Sequence, residues 1–124
     1  MTDTDVQLVL PADAAFLRLA RLTAADIGTR LGLGVEDVDD LRIAVDELCF
    51  AVVEHSPGPL VMRFRLAERW VEIEGECPDS DGPFEQSRLA RTIVAAVVDD
   101  HRLERRDGSR CFWLRKRVPE PSSG

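Results

Sequence analysis

Residues 41–55, Leu-Arg-Ile-Ala-Val-Asp-Glu-Leu-Cys-Phe-Ala-Val-Val-Glu-His, constrain this chain more than any other stretch. They read as one largely buried helix, with Asp46 and Glu47 set into an otherwise apolar run. A charge on a core helix costs free energy unless it is paired or has a chemical task. Asp46 is expected to be solvated or to pair with Arg42 one turn back, an interaction worth about 0.2–0.5 kcal/mol. Glu47, taken alone, reads as an ion-paired or partly exposed helix residue. Ala51 stands one turn after it on the same face.

The flanking segments supply what such a helix packs against. Val6–Leu10 alternates weakly and reads as a short strand stopped by Pro11. The following Ala-Asp-Ala-Ala suits a helix start. Phe16, Leu17, Leu19, Ala20, Leu22, Ala24 and Ile27 give that helix a broad apolar face to about Leu31, and Gly32 and Gly34 punctuate its end. The second helix runs from Val35 through His55, with Glu36, Asp37, Asp39 and Asp40 in its first turns, where the helix dipole favours negative charge. Ser56-Pro57-Gly58-Pro59 stops it. His55 reads as a C-terminal helix residue favoured by the dipole.

Leu60–Leu66 and Trp70–Cys77 alternate with period two around a short polar turn, which predicts a hairpin. Pro78–Pro83 is a loop. Gln86 to about Asp100 reads as a helix, with some strand character in its β-branched residues. Leu103–Arg106 and Arg110–Val118 fit a last hairpin around Asp107-Gly108. Residues 119–124 read as a flexible tail. The order β-α-α-β-β-α-β-β predicts a single domain over residues 1–118. Its fold class is α+β: a two-layer α/β sandwich, a mainly antiparallel sheet with three helices on one face.

Charge and composition narrow the partners. With 124 residues there is room for one core and not two. A net charge of −7 gives no field for nucleic acid. No apolar run reaches the length of a membrane span, and the acidic Met-Thr-Asp-Thr-Asp start is no signal peptide, so a cytoplasmic protein is expected. Cys49, Cys77 and Cys111 are widely spaced and lie in apolar patterns, so they read as small core residues. A zinc site is not expected. Arg102, Arg105, Arg106, Arg110, Arg115, Lys116 and Arg117 read first as a solvated sheet edge and second as a partner surface.

The run Leu-Arg-Ile-Ala-Val-Asp-Glu-Leu-Cys, together with residues 89–100 and 107–117, resembles the GHKL (Bergerat-fold) ATPases. The likeness is to their small serine-kinase anti-sigma-factor branch, RsbW-like and of actinobacterial type, and it extends over roughly Val6 to Val118. It implies the same fold and puts Glu47 at the position of the catalytic base that activates a serine hydroxyl of a protein substrate. The Asn that holds Mg²⁺ in the family falls at Ala51, which has no donor atom; Glu54, three residues on, is a poor substitute. The family's Asp-x-Gly-x-Gly loop matches Asp79-Ser80-Asp81-Gly82-Pro83-Phe84, which keeps Asp79 as the reader of the adenine amino group. Asp81 and Pro83 stand where the family has glycine. A register two residues earlier would put Cys77 at the Asp. The glycine-rich phosphate lid falls at Glu85-Gln86-Ser87-Arg88-Leu89, which has no glycine; Arg88 or Arg91 could meet phosphate there, although surface arginine is the plainer reading.

The resemblance therefore implies an anti-sigma-factor-like regulator. It would sequester a sigma factor, be countered by a STAS-type anti-anti-sigma protein, and form homodimers as is common in the family. No cofactor is expected unless the site functions, in which case it is Mg-ATP. Two alternatives stay open: an active Mg-ATP-dependent serine protein kinase that phosphorylates the antagonist, and a GHKL-like structural domain with an unrelated partner.

Overall fold

The computed structural model describes residues 4–80 and 82–119. Its elements are β1 (Thr4–Leu10), a 3-10 turn (Ala14–Phe16), α1 (Leu17–Arg30), α2 (Val35–Val53), β2 (Leu60–Leu66), β3 (Trp70–Pro78), α3 (Arg88–Val97), β4 (Asp100–Arg106) and β5 (Ser109–Arg117). The strands form one sheet in the order β1-β2-β3-β5-β4. Every neighbouring pair is antiparallel. The expected element order and the α+β fold class are both found. Residues 120–124 of the expected tail, and Asp81, lie outside the described residues.

Strand parity sorts the sheet. Leu60, Met62 and Phe64 of β2, Val71, Ile73 and Cys77 of β3, and Phe112 and Leu114 of β5 are buried on the helix side. The intervening positions point away. Leu41, Ala44, Val45, Leu48, Cys49, Val52 and Val53 of α2 close the same core. Burying one leucine or valine side chain stabilises by about 1.5–3 kcal/mol, so α2, with seven buried apolar residues, is the principal covering element. One continuous core runs from Leu10 to Val118.

Short-range chemistry sets the joints. Gly32 ends α1 at φ 88°, and Leu33 N–H returns to Gly28 O at 3.0 Å, a left-handed C-terminal cap that suits glycine. Gly34 then serves as the N-cap of α2. Gly28 lets α1 approach α2: a Cβ there would sit 3.2 Å from Leu33 and 3.5 Å from Leu41. The α3 N-cap is Ser87, whose Oγ accepts from Ala90 N–H at 3.0 Å. Ser87→Ala should lower stability by about 1 kcal/mol, read as a shift in the urea unfolding midpoint at unchanged slope.

Three local expectations need correction. Asp46 does not pair with Arg42; it binds Arg21 of α1 at 2.6 Å, while Arg42 meets Asp39 at 3.4 Å. A partner on a packed helix competes successfully with one along the same helix. Helix α2 ends at Val53, and His55 lies beyond it at φ 63°, where the chain turns into the 56–59 loop. Helix α3 ends at Val97, earlier than Asp100. Asp99 N–H already bonds Arg115 O at 3.0 Å, and the Asp99 carboxylate accepts from Arg117 N–H at 2.7 Å. These bonds to β5 draw Asp100–Arg102 into β4, while the β-branched residues Thr92, Ile93, Val94 and Val97 stay in α3, so their ambiguity is resolved in favour of helix.

All three cysteines are free and buried. Cys49 Sγ lies 3.8 Å from Met62 Sδ, and burial raises its pKa; burial likewise pushes the Cys77 thiol up to about 11. They pack as the small hydrophobes that the pattern implied. No helix among the described residues is long and apolar enough to cross a membrane.

Candidate functional site

Helix α2 lies across β5 between two buried cations. Near its start, Lys116 Nζ bonds Val97 O at 2.8 Å and approaches Asp37 at 3.7 Å and Asp40 at 4.0 Å. At its end, Arg110 Nη1 donates to Glu54 O at 2.9 Å. Between these contacts, Asp40, Glu47, Ala51 and Glu54 recur at seven-, four- and three-residue steps, which puts them on one flank of the helix. Glu47 and Ala51 are both half-buried. Among the described residues no donor meets the Glu47 carboxylate. Ala51 offers that flank a methyl group where a metal would need oxygen.

The loop after β3 carries the second group of expected site residues. Asp79 follows the end of β3, and its N–H bonds Gly108 O at 2.8 Å. Its carboxylate is engaged on both oxygens: Oδ1 accepts from Arg110 Nε at 2.8 Å and from Ser80 N–H at 2.9 Å, and Oδ2 lies 3.0 Å from Arg105 Nε. The Arg110 guanidinium, with help from Arg105, holds the Asp79 carboxyl below the usual carboxylate range. Arg105 also donates to Gly82 O at 2.6 Å. The Phe84 ring lies 5.1 Å from the Arg110 guanidinium and 5.6 Å from that of Arg105. Asp79, Ser80, Gly82 and Phe84 are thus held against two arginines of the last hairpin.

Arg88 is the first residue of α3 and is exposed, and among the described residues nothing pairs with its side chain. Arg91 lines a separate groove of about 400 Å³ with Phe84, Glu85, Gln86, His101, Arg102 and Leu103. The Gln86 Nε2 amide there is buried without a partner among the described residues.

The basic cluster is not one solvated edge. β4 is the edge strand, so that reading holds for Arg102, Arg105 and Arg106, but β5 lies between β3 and β4. Arg110 is 1% exposed and Lys116 is 7% exposed. Parity divides them: Arg110 and Lys116 share the core face with Phe112 and Leu114, while Arg115 and Arg117 share the other face with Trp113. On that far face Arg115 stacks 4.3 Å from the Trp70 ring and Arg102 stacks 4.6 Å from Trp113. Sequence reasoning missed Arg110 as a site residue. The signal was present, because Arg110 is two residues from Phe112 and four from Leu114 in an alternating strand.

The profile of the "Histidine kinase-like ATPase domain" family matches residues 10–116 of this chain. Among curated relatives, a serine-protein kinase RsbW of Bacillus thuringiensis (strain Al Hakam) is 29% identical over 92 residues, covering 71% of this chain and 56% of the relative. A serine-protein kinase RsbW of Halalkalibacterium halodurans is 33% identical over 96 residues, covering 67% and 59%. The chain thus spans a little over half the length of the curated relatives it matches. The crystal structure of the RsbU and RsbW domains of Rv1364c from Mycobacterium tuberculosis superposes with a TM-score of 0.76 at 21% identity, covering 96% of this chain and 34% of that one. That likeness bears on the fold, and the five-stranded antiparallel sheet under three helices agrees with it. With the family profile spanning nearly the whole described chain, this protein belongs to the histidine kinase-like ATPase domain family, the GHKL fold to which its RsbW relatives are also similar.

Proposed function

We propose that this chain is an anti-sigma-factor-like regulator that sequesters a sigma factor, is countered by a STAS-type anti-anti-sigma protein, and binds ATP weakly or not at all. In this reading residues 1–118 are the working domain, acting in the cytoplasm, and a homodimer is its expected form. Sequestration would occlude the sigma factor's polymerase-binding surface, a task for a folded protein face that needs no nucleotide chemistry. One observation carries the proposal: the Asp79 carboxylate is already bound by Arg110 and Arg105.

Mg-ATP fits this site poorly. Ala51 supplies no oxygen for the metal, Asp79 is engaged from within, and the 85–89 segment has no glycine to bring backbone N–H groups to phosphate. Phosphoryl transfer relies on metal to neutralise developing charge. The kinase alternative rests on Glu47, whose half-buried carboxylate, without a partner among the described residues, is what a general base requires. With Arg88 as a phosphate contact and Asp79 as the adenine reader, it needs Arg110 to move aside.

Calorimetric titration with ATP and ADP, with and without Mg²⁺, separates the two. No heat at millimolar nucleotide is the expected result. Metal-dependent micromolar binding defeats the proposal and moves the question to phosphorylation of a STAS substrate, with Glu47→Ala as control. Sigma factors of the source genome, titrated one at a time, test sequestration directly: submicromolar binding of one of them that blocks its polymerase-dependent transcription supports it, and binding by none sinks it.

A further inference from the structure

We infer that Arg110 is an internal ligand: its guanidinium holds the place of a planar N–H donor in a pocket built to receive one, and thereby closes that pocket to a nucleotide base. The inference deepens the proposal above and rests on its reading of Asp79 as the base-facing carboxylate.

The argument starts from the acceptors. Two separate segments aim oxygen atoms at one point. The end of α2 gives Glu54 O, the loop after β3 gives the Asp79 carboxylate, Ser80 O, Ser80 Oγ and Gly82 O, and Phe84 covers the assembly with its ring. Arg110 satisfies all of these oxygens: Nε to Asp79 at 2.8 Å, Nη1 to Glu54 O at 2.9 Å, and Nη2 to Ser80 Oγ at 2.9 Å, Gly82 O at 3.2 Å and Ser80 O at 3.3 Å. Acceptors gathered in a pocket repel one another and lose water, so they require a donor with several N–H groups. The Phe84 face further requires that the donor be flat. A guanidinium meets both demands, and so does the amino-bearing edge of adenine.

Lys116 provides an internal contrast. It is the other buried cation on the same face of β5, yet its ammonium has one short bond, to Val97 O at 2.8 Å, and two looser carboxylate contacts. That is the environment of a point charge. The Arg110 environment is specific for planar shape and several donors, which is why it can stand in for a base.

The test uses the full chain carrying Arg110→Ala, followed by thermal unfolding with ethylguanidine, ethylammonium or adenosine and with neither Mg²⁺ nor phosphate present. Omitting metal and phosphate makes the defects at Ala51 and at residues 85–89 irrelevant. Wild type should respond to none of the three. The variant should melt lower, and ethylguanidine and millimolar adenosine should each raise its Tm by about 6 °C at ten-fold excess over Kd, whereas ethylammonium should not. If the variant fails to fold alone, the yield of refolding with and without each compound gives the same reading.

An Arg110→Lys protein as stable as wild type overturns the inference, because charge alone would then suffice. So does an Arg110→Ala protein indifferent to ethylguanidine. Rescue by ethylguanidine without adenosine overturns it too, since the guanidinium is then a structural tie and no stand-in for a base. These failures are distinct from failure of the functional proposal: wild type that binds Mg-ATP defeats the function, while silent wild type with an unresponsive variant defeats only the internal ligand.

Discussion

Arg110→Leu should destabilise the fold by about 3 kcal/mol, a fall of roughly 12 °C in Tm for a domain of this size. The side chain is 1% exposed, so leucine fills much of the stem's space while leaving Glu54 O and Ser80 O without their Arg110 donor; Gly82 O keeps Arg105 at 2.6 Å. Asp79 suffers less, because its side chain is 25% exposed and Arg105 remains beside it. Arg110→Lys should recover less than half of the loss, since one ammonium cannot reach all of the oxygen atoms presented by the end of α2 and the loop after β3. Guanidinium chloride is a poor denaturant for these measurements, because it can occupy the vacated site; urea unfolding is the suitable measure.

The same contact has a signature in acid. Arg110 lowers the folded pKa of Asp79 from an ordinary value of 3.8. A depressed carboxylate stabilises the fold above its unfolded pKa, and that contribution is lost as pH falls through the lower folded value. The stability gap between wild type and Asp79→Asn should therefore be constant above about pH 5, begin to close near 3.8, and vanish at still lower pH. A gap that is unchanged at the acid end would show that Asp79 is not held by charge.

What the sequence disclosed was what its periods encode. Alternation of two residues gave the first hairpin and the faces of β2 and β3, the Asp107-Gly108 dipeptide gave the second hairpin, and helical spacing gave the covering face of α2. Contacts between distant segments were hidden. Asp46 had Arg42 four residues away, yet it pairs with Arg21, 25 residues away. Asp79 and Arg110 are 31 residues apart, and only the β3–β5 register, in which Cys77 faces Arg110 and Pro78 faces Ser109, brings them together. The split of the basic cluster was legible in principle, because parity alone sets Arg110 and Lys116 with Phe112 and Leu114. Treating seven cations as one surface overlooked it. The Glu47–Ala51 spacing was legible outright, because both residues lie on one helix.

Gly75→Ala should destabilise the protein by about 2 kcal/mol, although alanine ordinarily improves on glycine in a strand. The reason lies in the register that builds the site. Gly75 faces Met62 of β2 on one side and Phe112 of β5 on the other. A Cβ at position 75 would lie 2.2 Å from Cε2 and 2.6 Å from Cζ of Phe112. That ring is 2% exposed, so it cannot swing out into solvent, and either it or the β3–β5 spacing must give. Phe112 is two residues from Arg110 on the same face of β5, and Asp79 follows β3 directly, so a shift of either strand loosens the Asp79–Arg110 contact. Phe112→Leu removes the clashing ring atoms. In a double-mutant cycle measured in urea, the pair Gly75→Ala with Phe112→Leu should therefore lose less than the sum of the single variants, by about 1 kcal/mol. Additive losses would place the cost of Gly75→Ala in the backbone. A favourable coupling would locate it in the Phe112 ring, and would make the bare glycine of β3 one of the residues that set the strand register through which Asp79 and Arg110 meet.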